Sequence, residues 1–331
     1  MKLRFLLFSV LASCRLVAAP SEQAIRTAIE KSIPLLEAGT KGSIEKRARC
    51  FTCHNQAFPV IALATARDRG FKIDEANLER QVKFTADFLK KNKSRYLEGR
   101  GQGGQVDTTT WALRAMEHGD WKADATTDAV MEYLLKYQRT QDFWKAPSNR
   151  PPTEKSPFAA TRGGIRALQH YAKPELSKRI KKRFATVRDW LFENLPADTE
   201  DRMSRLRAMN LLGETKEAAR EVKVLLSEQR KDGGWAQLPK MKSDAYATGT
   251  VLAALHQAGG IAVANEAYQR GIEFLLENQR EDGSWLVVSR SKPFQSYYES
   301  GYPHATNQFI SISAASWATT ALALTLPETN E

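Results

Sequence analysis

The chain has 331 residues, 26% of them charged and 9% aromatic, and carries a net charge of +11. The basic excess sits mainly on helix faces such as "KRIKKRF" (Lys178 to Phe184), with no nucleic-acid motif and little aromatic interleaving. That pattern excludes nucleic acid as the expected partner and reads as solvated surface that would favour anionic lipid or an acidic protein.

Residues 1–19, "MKLRFLLFSVLASCRLVAA", have a basic start at Lys2 and Arg4, an apolar run from Phe5 to Leu11, and small residues at Ala18 and Ala19. This is the pattern of an export signal, so the chain is expected in the periplasm or at the cell envelope of a bacterium. Two processing routes fit: cleavage at Ala18 or Ala19, or lipidation of Cys14, since "LASC" is similar to a lipobox. The charge falls to +8 once Lys2, Arg4 and Arg15 leave. No later stretch approaches the roughly 20 apolar residues of a membrane span, so the mature body, residues 20–331, is expected to be a single domain, soluble or lipid-anchored.

The mature chain opens with an amphipathic helix, "EQAIRTAIEKSIPLLEAG". It is followed by "RARCFTCH", which holds Cys50, Cys53 and His54 as Cys-x-x-Cys-His. In an exported protein this spacing predicts covalent c-type haem, because two thiols three residues apart reach the two vinyl groups while the adjacent His ligates iron. A Cys50–Cys53 disulfide, a pair of free thiols, and a zinc site are the alternatives.

Helices then alternate in character. "DAYATGTVLAALHQAG" and "NQFISISAASWATTALAL" are apolar on nearly all sides and rich in Ala, Ser, Thr and Gly, and six inner helices are counted in all, near 55–69, 107–118, 157–171, 199–212, 244–258 and 307–324. A helix of that kind is surrounded by other helices. Each is preceded by an amphipathic partner such as "ETKEAAREVKVLLSEQR". Asp107 is expected to cap the second inner helix. His118, His170 and His256 stand near the far ends of inner helices, where they would favour the C-terminal dipole. Trp111, Phe158, Phe309 and Trp317 are expected in the core or the lining of the ring.

Between the partners, "QRTQDFW", "QRKDGGW" and "QREDGSW" share Q-R-x-x-x-x-W, the last two fifty residues apart. A repeat of this length announces a repeat architecture. Six hairpins of inner and outer helix would close into a double ring, with an open superhelix as the alternative.

These repeats resemble the Gln-Trp motifs of squalene-hopene cyclases, and the hairpin count is similar to the α/α toroid of terpenoid cyclases and protein prenyltransferases. The resemblance implies an all-α toroid in which Gln caps the outer helix, Asp-Gly makes the turn and Trp packs over the cap. It implies polar chemistry at the ring mouth, where the inner-helix N-termini gather.

"ADTEDRMS" is similar to the Asp-x-Asp-Asp acid of class II terpenoid cyclases, so the resemblance puts Glu200 in the position of the acid, with Asp198 and Asp201 as neighbours. The same letters read as a capping box, Asp198 at N-cap and Asp201 at N3. The zinc ligands of prenyltransferases would fall on Asp244 and His304, but Tyr246 stands where that pattern has Cys. Ring closure would bring His304 beside His54; the second iron ligand is then His304, or Met241, or none. His304 reads equally as a loop residue capping its helix, and it would complete a zinc set with Cys50, Cys53 and His54. The ligands and partners expected are therefore haem c with a redox partner, or an apolar isoprenoid-like molecule turned over or simply bound.

Overall fold

The computed structural model describes residues 19–137, 140, 142–293 and 296–329; Cys14 and most of the expected export signal, with Gln138 and Arg139 of the first repeat, lie outside them. In chain order the α-helices are α1 (Glu22–Lys46), α2 (Phe58–Arg67), α3 (Glu75–Lys91), α4 (Lys93–Leu97), α5 (Gln105–His118), α6 (Ala125–Lys136) and α7 (Pro157–Tyr171). There follow α8 (Ser177–Glu193), α9 (Thr199–Leu211), α10 (Thr215–Ser227), α11 (Ala245–Gln257), α12 (Glu266–Glu277) and α13 (Gln308–Ala323). A π-helical turn, Cys53–Ala57, leads directly into α2.

The inner wall is α2, α5, α7, α9, α11 and α13, the six inner segments of the sequence. Each packs on the next, and α13 packs on α2, so the ring is closed and the open superhelix is ruled out. Small side chains permit this. Every residue from Ala245 to Leu255 of α11 is buried, and a Cβ on Gly249 would come within 2.7 Å of the α13 backbone. The outer helices bury one face each, as in α10, where Ala218, Glu221, Val222 and Leu225 point inward. Glu221 takes Arg202 at 3.0 Å and also pairs with the buried Arg205, which ties α10 to α9. Most of "KRIKKRF" lies exposed on α8 as expected, but Arg183 is buried over the Trp144 ring, 4.5 Å from its centroid.

The Gln-Trp repeats hold the hairpins together, with the roles of Gln and Trp exchanged relative to expectation. Trp144, Trp235 and Trp285 are fully buried, and each indole Nε1 donates to the carbonyl ten residues upstream, that of Leu134, Leu225 or Leu275, at 3.1, 2.7 and 2.8 Å. Those carbonyls lie in the last turn of an outer helix, where intrahelical donors run out; that of Leu225 also accepts from the backbone, from Glu228 N at 3.3 Å. Trp is therefore the cap. Gln229 instead reaches across to Ala267 O in α12 at 2.6 Å, and Gln279 reaches Ala28 O in α1 at 2.8 Å, which closes the outer ring. The Asp-Gly turns behave as read: Asp232 and Asp282 accept from the backbone two residues on, and Gly233 and Gly283 sit at φ +82° and +87°.

Candidate functional site

At the end of the ring where α2, α11 and α13 begin, a cavity of about 460 Å³ opens. Its walls come from the Cys53–Phe58 stretch, the loop 150–154 before α7, Tyr246 on α11, the segment around Tyr297 and Tyr298, and the first turns of α13. The sequence reading placed Cys50, Cys53 and His54 at this mouth, and two of the three are in its wall. Cys53 is buried and its thiol is pushed up to about 12 by burial and the neighbouring Asp107. His54 is pushed down to about 3 by burial and by Arg150 and Arg47, so its imidazole is neutral. Cys50 is exposed and is not part of the wall, and both thiols are free.

His304 does not join His54. It adopts φ +85° and its Nε2 is 2.8 Å from Ser284 Oγ, away from the cavity wall. The side chain that ring closure brings to His54 is Phe309, edge-on with ring centroids 5.1 Å apart. Met241 is likewise absent from the wall. Among the described residues no three His, Cys, Asp or Glu side chains come together to hold a metal ion, so the zinc set of Cys50, Cys53, His54 and His304 is not assembled. Nor is that of Asp244 and His304. Asp244 is the N-cap of α11, accepting from Ala247 N at 2.9 Å and from Gln237 Nε2 at 3.0 Å.

The acidic group divides in the same way. Asp198 caps α9 through Asp201 N at 3.0 Å, but the Asp201 carboxylate turns to Ser156 Oγ at 2.6 Å and Ala197 N at 3.1 Å, so the reciprocal half of the capping box is not made. Glu200 is buried, and its carboxyl is pushed up to about 7 chiefly by burial, with Asp198 and Asp201 adding little and Arg162 opposing. It accepts a hydrogen bond from Tyr246 Oη at 2.9 Å, and that phenol oxygen lies 2.6 Å from Thr153 Oγ1. Tyr246 and Thr153 line the cavity and Glu200 stands behind them.

Asp107 is not a cap. α5 starts at Gln105 after left-handed Gly104, which carries Asp107 into the first turn, buried, with Oδ2 unpartnered. Burial holds its carboxyl well above the usual range. The distal histidines are not dipole counter-charges as a group either: His118 is held well below its ordinary value by burial and by Arg114 and Arg166. His170 lies 3.4 Å from Glu117, and His256 meets Ile261 O at 3.3 Å. Trp111, Phe158 and Trp317 are buried in the core as expected, while Phe309 lines the cavity.

Arg150, Thr153 and Tyr246 are the wall residues that sequence reasoning missed. The available signal was positional: "NRPPTEKSP" precedes the third inner helix as "RCFTCH" precedes the first, so its residues reach the same mouth.

The family model for the squalene-hopene cyclase C-terminal domain matches residues 158–327. Among curated proteins none is similar enough in sequence to match. Solved structures do match. The type II terpene cyclase MstE from Scytonema, without ligand, is 15% identical with a TM-score of 0.58, covering 92% of this chain and 98% of that one. A variant of the same enzyme in complex with geranylgeranyl dihydroxybenzoate, its substrate, is 13% identical with a TM-score of 0.53 over 92% and 99%. The ent-copalyl diphosphate synthase from Streptomyces platensis is 17% identical with a TM-score of 0.52, over 82% of this chain and 50% of that one. At such identities the likeness is one of fold.

Proposed function

The chain belongs to the squalene-hopene cyclase C-terminal domain family, and from that premise we propose that it is an exported toroid whose mouth cavity carries haem attached at the Cys-x-x-Cys-His motif. One observation carries the reading: Cys53 and His54 both stand in the wall of the same cavity, whose volume is within the roughly 300–1,000 Å³ of sites for molecules of this size. Two of the three motif residues stand where the group would be held, while Cys50 lies outside the wall. His54 is neutral, the form that offers a lone pair to iron, and Cys53 lies beside it. Phe58, Phe309 and Tyr297 supply flat apolar walls, and Lys292 supplies a cation for the carboxylates such a group bears. Haem held there would supply one-electron chemistry or a ligand-binding iron. The protein's part is to orient the His54 ring against Phe309 and to exclude water with the aromatic wall.

The test is intact mass and visible absorption on protein exported from a host that matures c-type cytochromes. A haem-sized mass increase with a Soret band, lost in Cys53→Ser, is expected. A bare mass with no Soret band would overturn the reading.

A second reading is favoured by a separate observation, the Thr153–Tyr246–Glu200 chain at the cavity wall. An apolar isoprenoid-like ligand in the cavity, of the kind MstE holds in its substrate complex, would meet a proton relay there. For such a relay the Tyr246 hydroxyl, which donates to Glu200 in this structure, would turn to Thr153. Glu200 would give its proton to the Tyr246 oxygen, Tyr246 its own to Thr153, and Thr153 its own to an alkene carbon of the ligand, leaving the Glu200 carboxylate and a carbocation. Turnover of a polyprenyl substrate by the wild type and its loss in Glu200→Gln would support this reading, and no turnover across a polyprenyl panel would remove it.

A further inference from the structure

The opposite end of the ring holds a second, smaller cavity of about 80 Å³. It lies among the last turns of α5, α7, α9 and α11 and opens to solvent beside Gln257, which is exposed. Four guanidinium groups line it, those of Arg114, Arg162, Arg166 and Arg207, against a single carboxylate, Glu117. Neither resemblance nor the mouth chemistry accounts for them.

Glu117 is already engaged. Both of its oxygens accept from Arg166, at 2.5 and 2.9 Å, and Arg114 approaches only to 4.0 Å. Arg162 is buried with its guanidinium 4.8 Å from the Trp111 ring and Nη1 turned to Met203 Sδ at 3.9 Å. Arg207 is 7% exposed and lies 5.2 Å from the Trp317 ring, and its Nε and Nη2 have no hydrogen-bond partner among the described residues.

A buried guanidinium stays charged, because its intrinsic pKa leaves deprotonation out of reach, and unpaired donors at such a site cost stability. The carbonyl ends of inner helices offer a partial explanation: each C-terminus carries about half a negative charge that a cation offsets. That explanation would put the arginine donors on terminal carbonyls, whereas the Arg207 donors rest on none. Even with Glu200, which attracts Arg162 and Arg207 from outside the cavity, four guanidiniums exceed what two carboxyls and those dipoles balance. A planar fork with free N–H groups is the geometry that takes a tetrahedral oxyanion. At roughly 10–15 Å³ per water-sized centre the cavity has room for the five heavy atoms of orthophosphate.

We propose that this cavity binds a phosphate-type oxyanion, free or as the terminal group of a monoester, with Arg207, Arg162 and Arg114 as its donors. The site is separate from the mouth and independent of what the mouth carries. Phe58, in the wall of the mouth cavity, packs edge-on against Trp111, in the wall of this one, with ring centroids 4.6 Å apart, so aromatic side chains stand between the two.

The experiment is thermal melting of the full mature chain against inorganic phosphate, and separately against butyl phosphate, with ionic strength held constant by sodium chloride. A saturable rise in Tm is expected in the wild type, because a ligand that binds only the folded state stabilises it by mass action. The rise should vanish in Arg207→Met, and that variant should melt no lower than the wild type without phosphate, since an unpaired buried charge has been removed. A response to both probes identifies free phosphate, and a response to butyl phosphate alone identifies an ester headgroup. No rise beyond the chloride control with either probe overturns the proposal, as does a rise that persists in Arg207→Met. Should Arg207→Met fail to fold, Arg114→Gln is judged by the same two criteria.

Discussion

Tyr246 donates its phenol hydrogen to Glu200 at 2.9 Å, across the boundary between a cavity wall and a carboxyl buried behind it. Tyr246 is the residue that stands where the prenyltransferase pattern would have a zinc-binding Cys. Its hydroxyl serves a carboxyl from the neighbouring inner helix.

Stability depends on pH through Glu200, because its burial outweighs the Tyr246 hydrogen bond, which works the other way. Burial raises its folded value to about 7 from an ordinary 4.5, so between those values the folded chain binds a proton that the unfolded chain has released. The contribution is present in full below about pH 4.5, is lost as pH rises through 7, and levels off above. Glu200→Gln should therefore gain relative to the wild type between pH 5 and pH 8, by at most about 3 kcal/mol. Urea midpoints of both proteins at the two pH values check this, and a constant difference would contradict it.

The Trp caps should be worth more than their ring volume. Trp285→Phe leaves the Leu275 carbonyl without its donor, a loss of about 1–3 kcal/mol for a buried acceptor. Trp285→Ala adds the cavity and should cost about 3–5 kcal/mol. Chemical denaturation of the two variants separates the hydrogen bond from the packing.

Gln279→Ala should open the ring at one seam. It removes the bond to Ala28 O and should cost about 1 kcal/mol, with faster amide exchange concentrated in α1. Gln229→Ala, which frees Ala267 O, should move the faster exchange to α12. Identical exchange maps for the two variants would mean that Gln does not link successive hairpins.

The turn glycines should differ according to their surroundings. Gly213 sits at φ +76° with nothing near a would-be Cβ, so Gly213→Ala should cost only the left-handed penalty of about 1–2 kcal/mol. Gly283 and Gly233 share that conformation, but a Cβ would lie 2.5 Å from Lys31 O and from Arg270 O respectively. Gly283→Ala and Gly233→Ala should therefore lower Tm clearly more than Gly213→Ala.

The sequence by itself determined the toroid. All-round apolar helices of small residues can only be interior, their amphipathic partners can only be exterior, and the Asp-Gly turns with their following Trp set the period. Because these signals are local in sequence, the six inner segments agree with the observed helices to within a few residues. It also determined that Cys53 and His54 reach the mouth, since whatever precedes an inner helix must lie there. Only the tertiary structure decided the rest. Whether Trp or Gln capped a helix depended on which carbonyl each side chain reached, and two of those carbonyls belong to the next hairpin. His304 turned away from His54 because a left-handed backbone aimed it at Ser284, a choice that no spacing encodes. The arginines of the far cavity come from three successive inner helices, Arg114 on α5, Arg162 and Arg166 on α7 and Arg207 on α9, so they read as ordinary charges. They become a site only when the closed ring removes water from all of them at once.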